Sequence, residues 1–577
     1  MGWFQHSKRI FPIALSLAAV IALLFWPIEI EVAAADDDDQ VPKLVVLVVF
    51  DQMRGDYLKR WEELYSEGGF KRLMKEGAWF TDCHYPYAAT LTAPGHASLA
   101  TGCSPNRHGV IANDWYCRAE TDTIGAVTPP PNDKRKGFGP YRRRAETFGD
   151  SLLGATKGKA KVVSLSIKER AAILLAALRA QLCYWFDTRT GDFVTSPFYR
   201  DEPHDWVKAF NKARHADAWL GKTWQRLRLD LDYAKYSGPD FPAQGVGYEQ
   251  GQTFPHPFVK GMDEKKPTYY DAVTNSPAGN ELLLALAKRA IAEEMLGQRG
   301  VTDVLCLGFS PNDLVGHCWG PDSQEVLDIT LRSDLLMKDL LQFLDDRIGK
   351  GRYLLALTAD HGICPLPEFA RAKGKDAGRV PPELLTSQAE AFLNQHFLKD
   401  GEKAAWLEMP KKPIESVYFN RATIKELGLT ETVVEKALAE WLSKQPGVQA
   451  AYTRSELLAR RLKPVATAGQ DEDPIARMVQ KSFHREESGD VMVVLRPYYI
   501  FSQPITSPKT NAYRTTHGSP HSYDTHVPLV IMGPGIVPGG RAERINPQAT
   551  ATIVTHALGV PAPRAAETPV PEGLFRK

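Results

Sequence analysis

The sequence predicts an α/β protein, a doubly wound and mostly parallel sheet with helices on both faces and two inserted cap regions. Three observations carry that expectation. Short runs rich in Val, Ile and Leu stop abruptly at polar residues or glycine, as strands buried on both faces do. Long amphipathic segments followed by glycine lie between them. The two kinds alternate along the chain, which is the order that builds βαβ units.

The strand-like runs cover residues 43–50, 301–309, 352–358 and 527–532, all expected to be parallel, and the amphipathic segments cover 281–296 and 323–348. Ligands of such sheets gather beyond the carboxyl ends of the strands, so function is sought there. Residues 120–275 are rich in Pro, Gly, Trp and Tyr with little periodicity and read as an insertion covering the sheet. A second insertion spans 370–485. Within it Thr432 and Glu435 form a capping-box pattern, with Val433, Val434, Ala437, Leu438, Trp441 and Leu442 on one helix face and Pro446-Gly447 closing the segment. Everything from residue 40 to 577 then belongs to one catalytic domain with two insertions.

Ahead of it, Lys8 and Arg9 precede an apolar run over 10–26, and Ala33-Ala34-Ala35 offers small residues for a signal peptidase. Residues 1–35 therefore read as an export signal, with an uncleaved N-terminal anchor as the competing reading, and the mature protein is expected in the periplasm or outside the cell. Only such a retained segment would bring it to a membrane.

The chain holds 577 residues, 43% hydrophobic, with 70 basic residues against 69 acidic ones, which excludes collagenous, coiled-coil and disordered classes. A net charge of +1 without a long basic tract argues against nucleic acid as a partner. The seven cysteines are odd in number and contain no Cys-x-x-Cys pair, so at least one is unpaired and any metal must rest on His and carboxylates.

Such residues stand at the strand ends. Residues 43–50 run into Asp51; 301–309 lead to Asp313 and His317, spaced so that one helical turn points both the same way; 352–358 end in Asp360 and His361; and His517 precedes the last run. Three Asp and three His make a shell for two borderline cations such as Zn²⁺. Thr92 sits just before an expected helix start, where its hydroxyl would face the positive end of the helix dipole and could act as a nucleophile, or merely as an N-cap.

With VVFDQMRGDYL, TLTAPGHASLATG, HGVIANDW, SIKERAAIL, FSPNDLVGH, LTADHG and TTHGSPHSYDTHVPL in order along nearly the whole mature chain, the sequence resembles the alkaline phosphatase superfamily. Within it the resemblance is to exported, zinc-dependent phosphomonoesterases with a threonine nucleophile, related to type I phosphodiesterases and nucleotide pyrophosphatases. It implies an alkaline-phosphatase-like fold, one zinc on Asp313, His317 and His517, and a second on Asp51, Asp360 and His361 with Thr92 bound to it. Other divalent ions are not excluded. It further implies that Asn113, Lys168 and Arg170 hold the phosphoryl oxygens of a small phosphoester. The expected reaction is monoester hydrolysis through a phosphothreonine intermediate. The alternatives are a phosphodiesterase or pyrophosphatase on the same scaffold, and a catalytically silent tethered binding protein; the oligomeric state stays open.

Two features stand apart from that pattern. Residues 172–182 read as continuous helix where relatives carry a Pro- and Gly-rich turn. Cys103-Ser-Pro-Asn-Arg107 satisfies the sulfatase signature, but it follows Leu99-Ala-Thr-Gly102 instead of preceding it, and the sulfatase cysteine would fall on Thr92. His96, His108, His521 and His526 are expected to be supporting or structural, with His521 the substitute should His517 not serve.

Overall fold

An unbroken apolar run, Leu44–Phe50, forms β1 at the centre of the molecule, and every residue in it is buried. A strand without a polar face needs cover on both sides, which is what α/β layering provides. The computed structural model describes residues 1–2, 41–135, 137–180, 182–258, 268–408, 416–460, 473–506 and 513–576. Residues 41–577 form one compact unit. The expected export signal lies outside the described residues, among which no helix is long and apolar enough to cross a membrane.

The main sheet has nine strands. After β1 come β2 (Ala78–Phe80), β3 (Val162–Ser166), β4 (Leu182–Asp187), β5 (Asp192–Val194), β6 (Asp303–Phe309), β7 (Tyr353–Thr358), β8 (Leu529–Met532) and β9 (Gly539–Arg541). Across the sheet they run β9-β2-β8-β7-β1-β6-β3-β4-β5, so β3, β4 and β5 extend the sheet on one side, which corrects the expectation that residues 120–275 only cover it. The five central strands from β7 to β4 are parallel, so their carboxyl ends share one edge. β8 corrects the expectation of a further parallel strand, because it pairs antiparallel with β7. All four of its residues are buried; a continuous apolar run reports burial on two faces and carries no information about direction.

The helices that matter for the site are α1 (Thr92–Thr101), α2 (Glu169–Leu175), α3 (Pro277–Glu293), α4 (Pro311–Trp319) and α5 (Gln324–Arg347). α5 starts where its cap dictates: the Ser323 hydroxyl accepts from the Val326 amide at 3.1 Å. α2 ends early, against the expectation of continuous helix to 182. The buried Arg143 guanidinium takes the Leu174 and Ala176 carbonyls at 3.0 and 2.9 Å, and the Leu178 amide turns to Asp150 at 2.7 Å. Tertiary hydrogen bonds thus override a strong local helix preference.

The later insertion forms a separate antiparallel sheet, ordered Leu407–Glu408, Ser416–Phe419, Val491–Leu495 and Val448–Thr453, so it runs past the expected end at 485. Its helix, α6 (Glu431–Leu442), buries Val434, Leu438 and Leu442 against that sheet. The cap differs from the expected box: Thr430 holds the N-cap position, and Glu435 instead accepts from the Ser455 amide at 2.9 Å. Val433, expected on the apolar face, is half exposed.

Candidate active site

Asp51 directly follows β1, and Asp360 and His361 follow β7 by two and three residues. α4 begins just past the end of β6 and carries Asp313 and His317 one turn apart. His517 arrives on the loop leading to β8. Phe50 pairs with Phe309 and Val49 with Thr358, so three neighbouring strands end side by side and deliver these groups to one edge. The result is two buried sets, Asp313 with His317 and His517, and Asp51 with Asp360 and His361, each with its donor atoms within 4.8 Å of one another.

Each histidine is fixed by the main chain. Nδ1 lies 2.7 Å from the Thr515 carbonyl in His317, 2.7 Å from that of Thr90 in His517, and 2.9 Å from that of Gly362 in His361. A carbonyl only accepts, so Nδ1 carries the proton and the Nε2 lone pair points the other way. It points at carboxylates: His317 and His517 Nε2 stand 3.1 and 3.5 Å from Asp313 Oδ1, and His361 Nε2 stands 3.4 Å from Asp51 Oδ1 and 3.3 Å from Asp360 Oδ2. Burial holds His361 down to about 3 and also lowers His517, so both are neutral at pH 7. Acceptors therefore face acceptors, and Asp51 Oδ1 and Asp360 Oδ2 are buried with no hydrogen-bond donor. A divalent cation fits each set, imidazole nitrogen and carboxylate oxygen being the donors that zinc favours.

The charges divide the carboxylates. Burial pushes Asp51 up, with Asp360 adding to it. Burial would raise Asp313 and Asp360 too, but both are held below the usual carboxylate range, and the Lys168 ammonium is a fixed cation that lowers each of them. The Lys168 ammonium bridges the two sets, donating to Asp51 Oδ2 at 2.8 Å and to Asp313 Oδ2. Burial opposes its charge, and Asp313 and Asp51 outweigh that penalty, so Lys168 stays protonated.

Thr92 is the first residue of α1, with Leu91 in extended conformation at the cap, so it stands one position further in than an N-cap. Its Oγ1 lies 3.3 Å from His361 Nε2. Asn113 Oδ1 accepts from the Ala93 amide at 2.8 Å, which holds the carboxamide against the first turn of α1 and leaves its NH₂ to donate. Arg170 is part-buried at the start of α2; Nη1 approaches Glu169 at 3.4 Å, and Nε has no partner. Cys103 is different. It lies beyond the far end of the ten-residue α1, about 15 Å from Thr92 by helical rise, and burial pushes its thiol up to about 11.

Sequence reasoning missed Gln52 and the role of His96. Gln52 adopts a left-handed φ of 71°. Its amide donates to Asp360 Oδ1 at 3.0 Å and its side-chain NH₂ to Asp313 Oδ1, so one residue ties the two sets together. Its only signal was its place after Asp51. His96 Nδ1 is 3.2 Å from Asp360 Oδ2 and 2.9 Å from the Thr92 carbonyl, one α1 turn back. His521 bonds the Leu495 carbonyl at 2.8 Å, and it joins neither set.

A family model described as type I phosphodiesterase / nucleotide pyrophosphatase matches residues 45–520. The chain belongs to that family. Through it the chain is a member of the alkaline phosphatase superfamily, as the ordered motifs led us to expect. Alkaline phosphatase PhoV of Synechococcus elongatus is 33% identical over 86% of this chain and 86% of its own length. Alkaline phosphatase PafA of Elizabethkingia meningoseptica is 32% identical over 91% of this chain and 93% of its own. The crystal structure of wild-type PafA superposes with a TM-score of 0.82 at 30% identity, covering 93% of this chain and 99% of that one. Family membership and the fold thus agree from sequence and from shape.

Proposed function

We propose that this protein is a metal-dependent phosphomonoesterase in which Thr92 is the nucleophile and a phosphothreonine forms and is hydrolysed, releasing inorganic phosphate. The observation that carries the reading is the backbone tethering of all three histidines, which turns each Nε2 lone pair toward carboxylate oxygens beside the Thr92 hydroxyl. The names of PhoV and PafA, alkaline phosphatases by description, support the activity. Asp313, His317 and His517 would hold one zinc or similar ion and Asp51, Asp360 and His361 another; such a pair supplies the charge that acidifies a hydroxyl and steadies a leaving oxygen.

The chain's own groups do the rest. Thr92 Oγ1 bonds to phosphorus as the bond to the leaving oxygen breaks on the opposite face, and water later displaces the threonine oxygen to regenerate the hydroxyl. The Asn113 NH₂, the Lys168 ammonium and the Arg170 guanidinium hold the nonbridging oxygens, Arg170 through its planar fork and Lys168 as a point charge. A monoester dianion carries one more charge than a diester, and the two cations on one wall suit it.

The family description favours a second reading, diester or pyrophosphate hydrolysis. Hydrolysis of an aryl phosphate monoester and of the matching diester, each with and without chelator, separates the two. The expected result is faster monoester turnover that chelator abolishes; faster diester turnover reverses the order, and chelator-insensitive turnover removes the metal from the scheme. We also infer export, from the basic residues and apolar run ahead of residue 36.

A further inference from the structure

A cavity of about 470 Å³ opens beside the site, between the loops that carry Leu91, Asn113 and His517 and the separate antiparallel sheet that holds Tyr418 and Val493. Its near end is made by Leu91, Asn113, Tyr513 and His517; its walls include Trp115, Tyr418, Val493 and Ile500. Of the six metal-binding candidates, only His517 lines it; Asp51, Asp360 and His361 do not. Tyr513 packs on His317 with ring centres 4.4 Å apart, so the mouth lies on the Asp313 side. In an in-line displacement the group that departs leaves on the face opposite the attacking oxygen. Thr92 approaches from the His361 side. The cavity is therefore where the departing alcohol would sit.

Its walls state what that alcohol should be. They are mainly apolar, and no lysine or arginine lines the cavity among the described residues. The acids in the wall are Asp114 and Asp524; Asp524 is buried, bonded to Ser519, and has one oxygen without a partner. An anionic leaving group, such as a second phosphate, would meet no counter-ion there, and burial pushes the Asp524 carboxyl up to about 8, as expected of a wall that disfavours charge. The volume is that of an ordinary small-molecule site.

We infer that this cavity receives an uncharged, apolar leaving group, making long-chain alkyl and aryl phosphates the preferred substrates. The inference rests on the phosphomonoesterase reading. Its test is kcat/KM for ethyl, butyl and hexyl phosphate, whose leaving alcohols share nearly the same acidity, so only burial changes along the series. Each added methylene should raise kcat/KM about fourfold, on the order of 10²-fold from ethyl to hexyl. Filling the cavity with Val493→Phe should flatten the hexyl-to-ethyl ratio, a comparison internal to one preparation, and Ile500→Phe gives the same readout from another wall. A flat series in the native enzyme, with ethyl phosphate still hydrolysed, overturns this inference alone. Failure to hydrolyse any member overturns the phosphomonoesterase reading with it. Phosphocholine outrunning its neutral isostere 3,3-dimethylbutyl phosphate would also overturn the inference, because the acids and aromatic rings would then be serving a cation.

Discussion

Gly95→Ala tests whether the helix that carries Thr92 must touch the strand end that carries Asp360. A Cβ at Gly95 would stand 2.3 Å from the Asp360 carbonyl oxygen and 2.7 Å from its Cβ. Ordinary carbon–oxygen contact needs about 1 Å more than that, and both partners are buried backbone or its first side-chain atom, so the helix must move by a comparable amount. Thr92 lies one turn earlier on the same helix and travels with it. A displacement of about 1 Å costs on the order of 10²-fold in rate, or about 2.7 kcal/mol of transition-state stabilisation. The assay is kcat/KM on an aryl phosphate, with Tm and far-UV circular dichroism on the same preparation. Gly154→Ala is the control: it is also a helical glycine, but no atom outside its own helix lies within 4 Å, and the change should raise stability by about 0.5–1 kcal/mol with activity unaltered. Full activity in Gly95→Ala, with its Tm matching the native protein, would refute the claim that the contact sets the position of Thr92.

Four further outcomes are expected. Thr92→Ala should lower kcat/KM by about 10³-fold or more while Thr92→Ser keeps measurable turnover, since only the second retains an attacking oxygen; unchanged activity in the alanine variant would remove Thr92 from the reaction. Gln52→Gly removes the amide that bonds Asp313 yet suits the left-handed backbone, so steady-state assays should show about a tenfold fall in kcat/KM with little change in Tm. Chelation should lower Tm as well as activity, because ions held by buried carboxylates stabilise only the folded state; readdition of zinc should restore both, and differential scanning fluorimetry reads the shift. His108 is buried between Ser98 at 3.0 Å and the Val110 amide, and burial lowers it to about 3. A folded-state pKa below the unfolded value means that its contribution is whole above pH 6.5 and declines as pH falls toward 3, by up to about 1.4 kcal/mol per pH unit. The slope of Tm against pH should therefore be shallower in His108→Gln.

The grouping of the candidate side chains was legible because they sit at strand ends, where an apolar run gives way to Asp or His, and residues of that kind stand out in a bare sequence. Residues 43–50, for example, predict β1 to within one position, and Asp51 follows it directly. What escaped reading was whatever depends on distant partners. The direction of β8 is set by pairing with β7 and leaves no mark in four buried apolar residues. α2 stops because Arg143, far earlier in the chain, takes its last carbonyls. Gln52 gave no warning, since an amide after an aspartate has a hundred ordinary uses; its meaning lies in a left-handed turn and a contact 261 residues away. α6 has its N-cap at Thr430 instead of Thr432, and Glu435 serves Ser455, a partner 20 residues away that no local pattern announces.

The histidine tethers come from Gly362, Thr515 and Thr90, so each ring is oriented by a stretch of main chain that itself needs the finished sheet. A growing polypeptide that has emerged only as far as residue 500 owns five of the six donor side chains and still lacks His517 together with the carbonyl that aims His317. Completion of the Asp313 set is in this sense a readout of finished assembly: a fragment that stops at residue 500 contains Asp51, Asp360, His361 and the carbonyl that orients His361, but neither the third donor of the other set nor the carbonyl that orients His317.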